Sequence, residues 1–176
     1  MELIKLSNIT SIKSTVDDLI ERYPQNKIDQ KEENISTSQH GDQYILSQFL
    51  NNELEKISDD IKSIIENKYN CKLKVGSCWA VYGHEWCWHD AHQHSNTSNG
   101  ISSVIYLTNP IKTEQEKIDR RGCFYWFEFD IFQKLELKIH HPTEGDVLFF
   151  PNTIFHGTFP QSKGLRQTLN IDFDLI

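Results

Sequence analysis

The stretch GDVLFFPNTIFHGTFPQSKGLRQTLNIDFDL, residues 145–175, decides how this chain is read. It holds two short runs rich in β-branched and aromatic residues, GDVLFFPN and LRQTLNIDFDL, with Pro, Asn and Gly between them. Such runs read as strands punctuated by turns. Upstream, KLKVGSCWAVYG, ISSVIYLTNP, GCFYWFEFD and KLELKIHHP have the same character, and several alternate apolar with polar positions. Short strands at regular spacing point to a sandwich or barrel. Residues 71–176 are expected to form it, in a chain of one domain.

The first 70 residues differ, being rich in Lys, Glu, Asp, Asn, Ser and Ile. NELEKISDDIKSIIENKY, 52–69, spaces Leu54, Ile57, Ile61, Ile64, Ile65 and Tyr69 by threes and fours. That predicts an amphipathic helix with one buried stripe, capped by Asn51 or Asn52. A second helix is expected from Ser14 to Tyr23, with Ser14 and Asp17 as a capping box and Pro24 as the stop. The polar segment 24–43 between them reads as an exposed loop carrying a solvated His40. The charged segment TEQEKIDRR, 113–121, reads as a solvated loop, placed to act as a lid over one mouth of the barrel. Helices first and strands after give a mainly β, α+β chain, with helices packed outside a β core.

Bulk properties exclude some functions. A net charge of −7 disfavours a protein that grips nucleic acid through its phosphates. No apolar run nears the roughly 20 residues a membrane helix needs. MELIKLSNIT lacks a secretory apolar core and cleavage site, so a cytoplasmic location is expected. Neither nucleic acid nor membrane is an expected partner. Cys71, Cys78, Cys87 and Cys123 lack the short spacing that opens structural zinc sites and read as reduced, packed thiols.

Chemistry concentrates in WAVYGHEWCWHDAHQH, 79–94. His92 and His94 are two apart, so on an extended strand both face the same way. Two imidazoles so placed can hold a divalent metal once a third ligand arrives. His156 is one candidate, near a strand start after the Pro-Asn turn; His140 and His141 are others, read as polar residues at a strand end. His89 and Asp90 compete for the same role, and His84 reads as a turn residue. Trp79, Trp86 and Trp88 are expected to floor the site. Arg166, ten residues after His156, opens the last strand. Facing a barrel interior it would need an anionic partner, most naturally a carboxylate held bidentately.

These residues carry a resemblance. WAVYGHEWCWHDAHQH, ISSVIYLTNP and PTEGDVLFFPNTIFHGTFPQSKGLRQTLNIDFD together resemble the Fe(II)- and 2-oxoglutarate-dependent oxygenases, in a bacterial and phage branch related to prolyl hydroxylases. The likeness covers roughly residues 78–174, and EGD, FFP, HG and Arg166 fall in register at its end. It implies a double-stranded β-helix, the cupin-like jelly roll. It further implies His92, His94 and His156 as ligands of Fe(II), with Asp90 and His89 as alternatives. Arg166 would bind the distal carboxylate of the cosubstrate 2-oxoglutarate, with Thr168 adding a hydroxyl and Tyr106 on the pocket wall. No catalytic residue beyond the metal centre is implied. The implied activity consumes O2, releases succinate and CO2, and hydroxylates a C–H bond of a small molecule or a peptidyl residue.

Two features depart from the wider pattern. Its usual H-x-D or H-x-E is H-x-H here, and the loop SNTSNG before the next strand is slightly longer. A cupin-like protein that binds metal and organic acid without oxygen chemistry is the rival reading, and a degenerate oxygenase fold serving as a binding module is the third.

Overall fold

The computed structural model describes residues 1–28, 41–94 and 99–176; the expectations for His40 and for most of the SNTSNG loop lie outside them. Two antiparallel sheets face each other as a jelly roll. The larger contains β1 (Glu2–Lys5), β2 (Asp42–Ile45), β3 (Leu73–Gly83), β5 (Gly100–Thr108), β8 (Asp146–Pro151) and β10 (Arg166–Leu175). Their spatial order is β1-β8-β5-β10-β3-β2. The smaller contains β4 (His89–His92), β6 (Phe124–Phe129), β7 (Leu135–His140) and β9 (His156–Thr158), in the order β4-β9-β6-β7. The six strands read from composition are all present, with ends within about two residues of the quoted runs.

Alternation along the strands of the large sheet builds two layers from one ribbon. On β10, Leu169, Ile171 and Phe173 point outward into a core closed by Val16, Leu19, Ile61 and Ile65 of two helices. On the other face, Val104, Tyr106, Leu148 and Phe150 pack against Phe124, with Trp126 alongside. The inward positions of β10 are Arg166, Thr168, Asn170 and Asp172. Polar residues thus occupy the inner face at the mouth, while the outer face is apolar apart from Gln167, which donates to the Asp17 carboxylate and the Tyr82 hydroxyl.

The helices are α1 (Ile9–Arg22), α2 (Glu55–Tyr69) and α3 (Glu114–Ile118). None is long and apolar enough to cross a membrane. Three expectations need correction. The first helix starts five residues before Ser14, because the buried stripe begins at Ile9 and Ile12; its N-cap is Asn8, with no side-chain capping bond. Ser14 is therefore mid-helix. The second starts after Leu54 without a side-chain cap, so Asn51 and Asn52 lie outside it, and Tyr69 is exposed rather than in the stripe. The charged segment 113–121 contains a helix, not only a loop. Thr113 Oγ1 accepts the Glu116 N–H and the Glu116 carboxylate accepts the Thr113 N–H, a reciprocal capping box.

The first 70 residues also supply the two edge strands of the large sheet, β1 against β8 and β2 against β3. Four-residue edge strands carry too little alternation to stand out in a polar segment.

Candidate metal centre

The site forms where the two sheets open. β4 and β9 are antiparallel neighbours in which His92 stands directly opposite His156, with ring centroids 4.5 Å apart. His94 lies just beyond β4, and its backbone N–H is held by the Asn152 carbonyl at 2.9 Å. One ligand-capable atom from each of these three histidines lies within 4.8 Å of the other two, and no further such cluster occurs among the described residues. His156 is buried and the other two are half-buried.

Hydrogen bonds set the tautomers. His92 Nδ1 lies 2.7 Å from the Asp90 carbonyl and His156 Nδ1 lies 2.9 Å from the Ile154 carbonyl. His94 Nδ1 lies 2.9 Å from Asp172 Oδ1, with Ser102 Oγ at 2.8 Å. Carbonyl and carboxylate oxygens only accept, so each Nδ1 must carry the proton. Every Nε2 then presents a lone pair, the arrangement typical of metal-ligating histidines. Burial, and then the nearby His92, push the His156 pKa down to about 3, which keeps its ring neutral and able to ligate.

The pocket around the cluster is walled by Trp79, Val81, Val104, Tyr106, Phe124, Thr168 and Asn170. Arg166 completes it. This side chain is 2% exposed, and its Nη1 is buried without a hydrogen-bond partner. It forms no ion pair among the described residues, and burial lowers its pKa. Room for the guanidinium comes from Gly83, its cross-strand neighbour, where a Cβ would stand 3.2 Å from Nη2. Thr168 pairs across the sheet with Tyr106 on the same inner face. Burial raises the Tyr106 pKa, so its hydroxyl keeps its proton. The donor set therefore fits a divalent metal beside a carboxylate: three imidazole lone pairs and an uncompensated buried cation.

The other sequence candidates are placed as follows. His89 lines the pocket wall but lies outside the three-histidine cluster, and Asp90 is exposed. His140 Nε2 bonds Asp146 at 2.9 Å, and His141 Nδ1 lies 3.1 Å from Cys123 Sγ, so both are engaged elsewhere. No disulfide joins any of the four cysteines. Of the three tryptophans expected as a floor, only Trp79 lines the pocket, 5.3 Å edge-on from His94. Trp86 is exposed under the Arg121 guanidinium, and Trp88 borders an outer groove with Tyr125 and Phe159. Asp172, Ser102, Asn170 and Gly83 join the site only in the folded structure. The period-two polar row on β10, starting at Arg166, was the signal for two of them.

No curated protein sequence matches the chain. Solved structures do. A prolyl hydroxylase from Trichoplax adhaerens, in complex with a hypoxia-inducible-factor oxygen degradation domain peptide, superposes with a TM-score of 0.65 at 14% identity, covering 98% of this chain and 83% of that one. A prolyl-4-hydroxylase from Pseudomonas putida gives 0.66 at 12% identity, covering 98% and 91%. The non-heme α-ketoglutarate-dependent carbocyclase SnoK of nogalamycin biosynthesis gives 0.71 at 13%, covering 97% and 76%. At such identities the likeness is one of fold. Residues 77–174, more than half of the chain, match the family model described as "Putative 2OG-Fe(II) oxygenase". The chain belongs to the 2-oxoglutarate–Fe(II) oxygenase family, whose cofactors are Fe(II), 2-oxoglutarate and O2.

Proposed function

We propose that this protein is an active 2-oxoglutarate-dependent dioxygenase that hydroxylates a C–H bond of a small molecule or a peptidyl residue. The observation that carries the reading is Arg166: a buried guanidinium with an unpartnered Nη1, in the same pocket as three clustered histidines. A buried cation without a partner is costly unless an anion joins it.

His92, His94 and His156 would hold Fe(II), and Arg166 would take the distal carboxylate of 2-oxoglutarate as a two-pronged donor. Thr168 offers a hydroxyl beside that carboxylate and Tyr106 closes the wall. Bound there, the iron and cosubstrate supply the oxidative chemistry, in which O2 is consumed and succinate and CO2 are released. Trp79, Val81, Val104 and Phe124 exclude water from the reacting centre and orient what enters it. No side chain needs to act as acid or base.

Anaerobic titration with Fe(II) and then 2-oxoglutarate tests this. A visible charge-transfer band that requires both components is the expected result. Metal uptake without that band, whatever the cosubstrate concentration, would favour a cupin-like binding protein.

A further inference from the structure

Three neutral imidazoles leave the charge of a divalent ion uncompensated by its ligands, whereas a two-histidine, one-carboxylate triad neutralises half of it. In this chain a carboxylate stands directly behind one histidine of the site, His94. His92 and His156 are oriented by backbone carbonyls, while His94 is oriented by Asp172 Oδ1 at 2.9 Å. His94 is also the residue in the position where the H-x-D or H-x-E pattern has its carboxylate.

Asp172 is committed to this contact. Its only contact with an ionisable group among the described residues is the hydrogen bond from His94, and no lysine or arginine there shares it. Ser77 Oγ reaches its other oxygen at 3.5 Å, and the fully buried Ser102 places Oγ 2.8 Å from His94 Nδ1. The carboxylate is 23% exposed and the imidazole 11%, so solvent screens the pair only in part.

We infer that Asp172 is the negative charge of this metal centre, moved from direct ligation into the outer sphere and delivered through the His94 imidazole. It is a positioning residue: it fixes the tautomer that exposes Nε2 and raises the basicity of that nitrogen. The inference rests on the three-histidine reading of the site.

The test is a double-mutant cycle read by metal affinity rather than turnover. Fe(II) dissociation constants are measured anaerobically, by competition with a chromophoric chelator, for wild type, Asp172→Asn, His94→Asp and the double variant. Asp172→Asn keeps the shape and the accepting oxygen and removes only the charge. It is expected to weaken Fe(II) by about 10–100-fold, the usual cost of losing an outer-sphere partner. In the His94→Asp background, where a carboxylate ligates directly, the same substitution is expected to cost nothing. The metal-free circular dichroism of all four proteins checks that each folds. An Asp172→Asn protein that folds and binds Fe(II) as tightly as wild type overturns the inference alone, and so does an equal loss in both backgrounds. A wild type that takes up no Fe(II) overturns the three-histidine reading, and this inference with it.

Discussion

Arg166→Met is the substitution with the sharpest consequence, because it should separate stability from function. The guanidinium is 2% exposed, faces no carboxylate among the described residues, and leaves Nη1 without a partner. In the absence of cosubstrate, that is a buried charge with nothing to offset its desolvation. Methionine has similar length and no charge, and the inner sheet face supplies apolar neighbours in Val81 and Val104. Replacing buried ion pairs by apolar side chains of like volume gains on the order of 1–4 kcal/mol, and an unpaired charge should gain at least the lower figure. For a chain of this size each kcal/mol shifts Tm by about 2–4 °C, so the metal-free variant should melt about 2–16 °C above wild type. Saturating 2-oxoglutarate should close the gap, and reverse the order where the variant's gain is below about 2.7 kcal/mol. At a hundredfold excess over Kd it adds about 2.7 kcal/mol to the metal-loaded wild type and nothing to the variant. Differential scanning calorimetry, with chelator and then with metal and 2-oxoglutarate, reads both effects. A metal-free variant that melts below wild type, or one that 2-oxoglutarate stabilises as it does wild type, would refute the reasoning.

Other perturbations give equally definite expectations. His156→Ala should abolish Fe(II) uptake in equilibrium dialysis while leaving the strand content seen by circular dichroism, because it removes one of the three histidines clustered among the described residues. Gly83→Ala places a methyl 3.2 Å from Arg166 Nη2. Crowding of about 1–3 kcal/mol should weaken 2-oxoglutarate at least about fivefold and leave the Fe(II) affinity unchanged, as isothermal titration would show. Asp146 sets the acid limb of stability. Burial works to raise its pKa, but Lys5 Nζ at 2.9 Å, the Thr143 N–H at 2.8 Å and His140 Nε2 at 2.9 Å together hold it below the ordinary carboxylate range. Its contribution is therefore complete above the unfolded pKa of about 3.9 and is lost as pH falls through the lower folded value. Asp146→Asn should cost about 2 kcal/mol at neutral pH and flatten the urea midpoint below pH 4, measured as denaturation curves across pH.

Much of this molecule was legible one residue at a time. Alternation of apolar and polar residues announced the strands from Leu73 onward, because a strand's side chains alternate whatever lies beside it. The spacing His92-x-His94 and the interval from His156 to Arg166 named four residues that line one pocket. Helix starts are not legible in this way: Ser14 and Asn52 have capping chemistry, whereas tertiary burial of Ile9 and Leu54 sets both ends. The edge strands Glu2–Lys5 and Asp42–Ile45 leave no such mark, because pairing with β8 and β3, rather than their own composition, makes them strands.

The amino-acid sequence by itself thus determined the β core, the helical stripes and the residue types able to bind a metal and an organic acid. Periodicity and chemistry are properties of the chain. Only the tertiary structure decided which histidines meet, since His156 lies 64 positions from His92 and becomes its neighbour through an antiparallel pairing of two very short strands. It alone decided that Arg166 is buried and unpartnered, that Gly83 makes room for it, and that Asp172 stands behind His94. Proximity across sheets depends on register, and no local pattern encodes it.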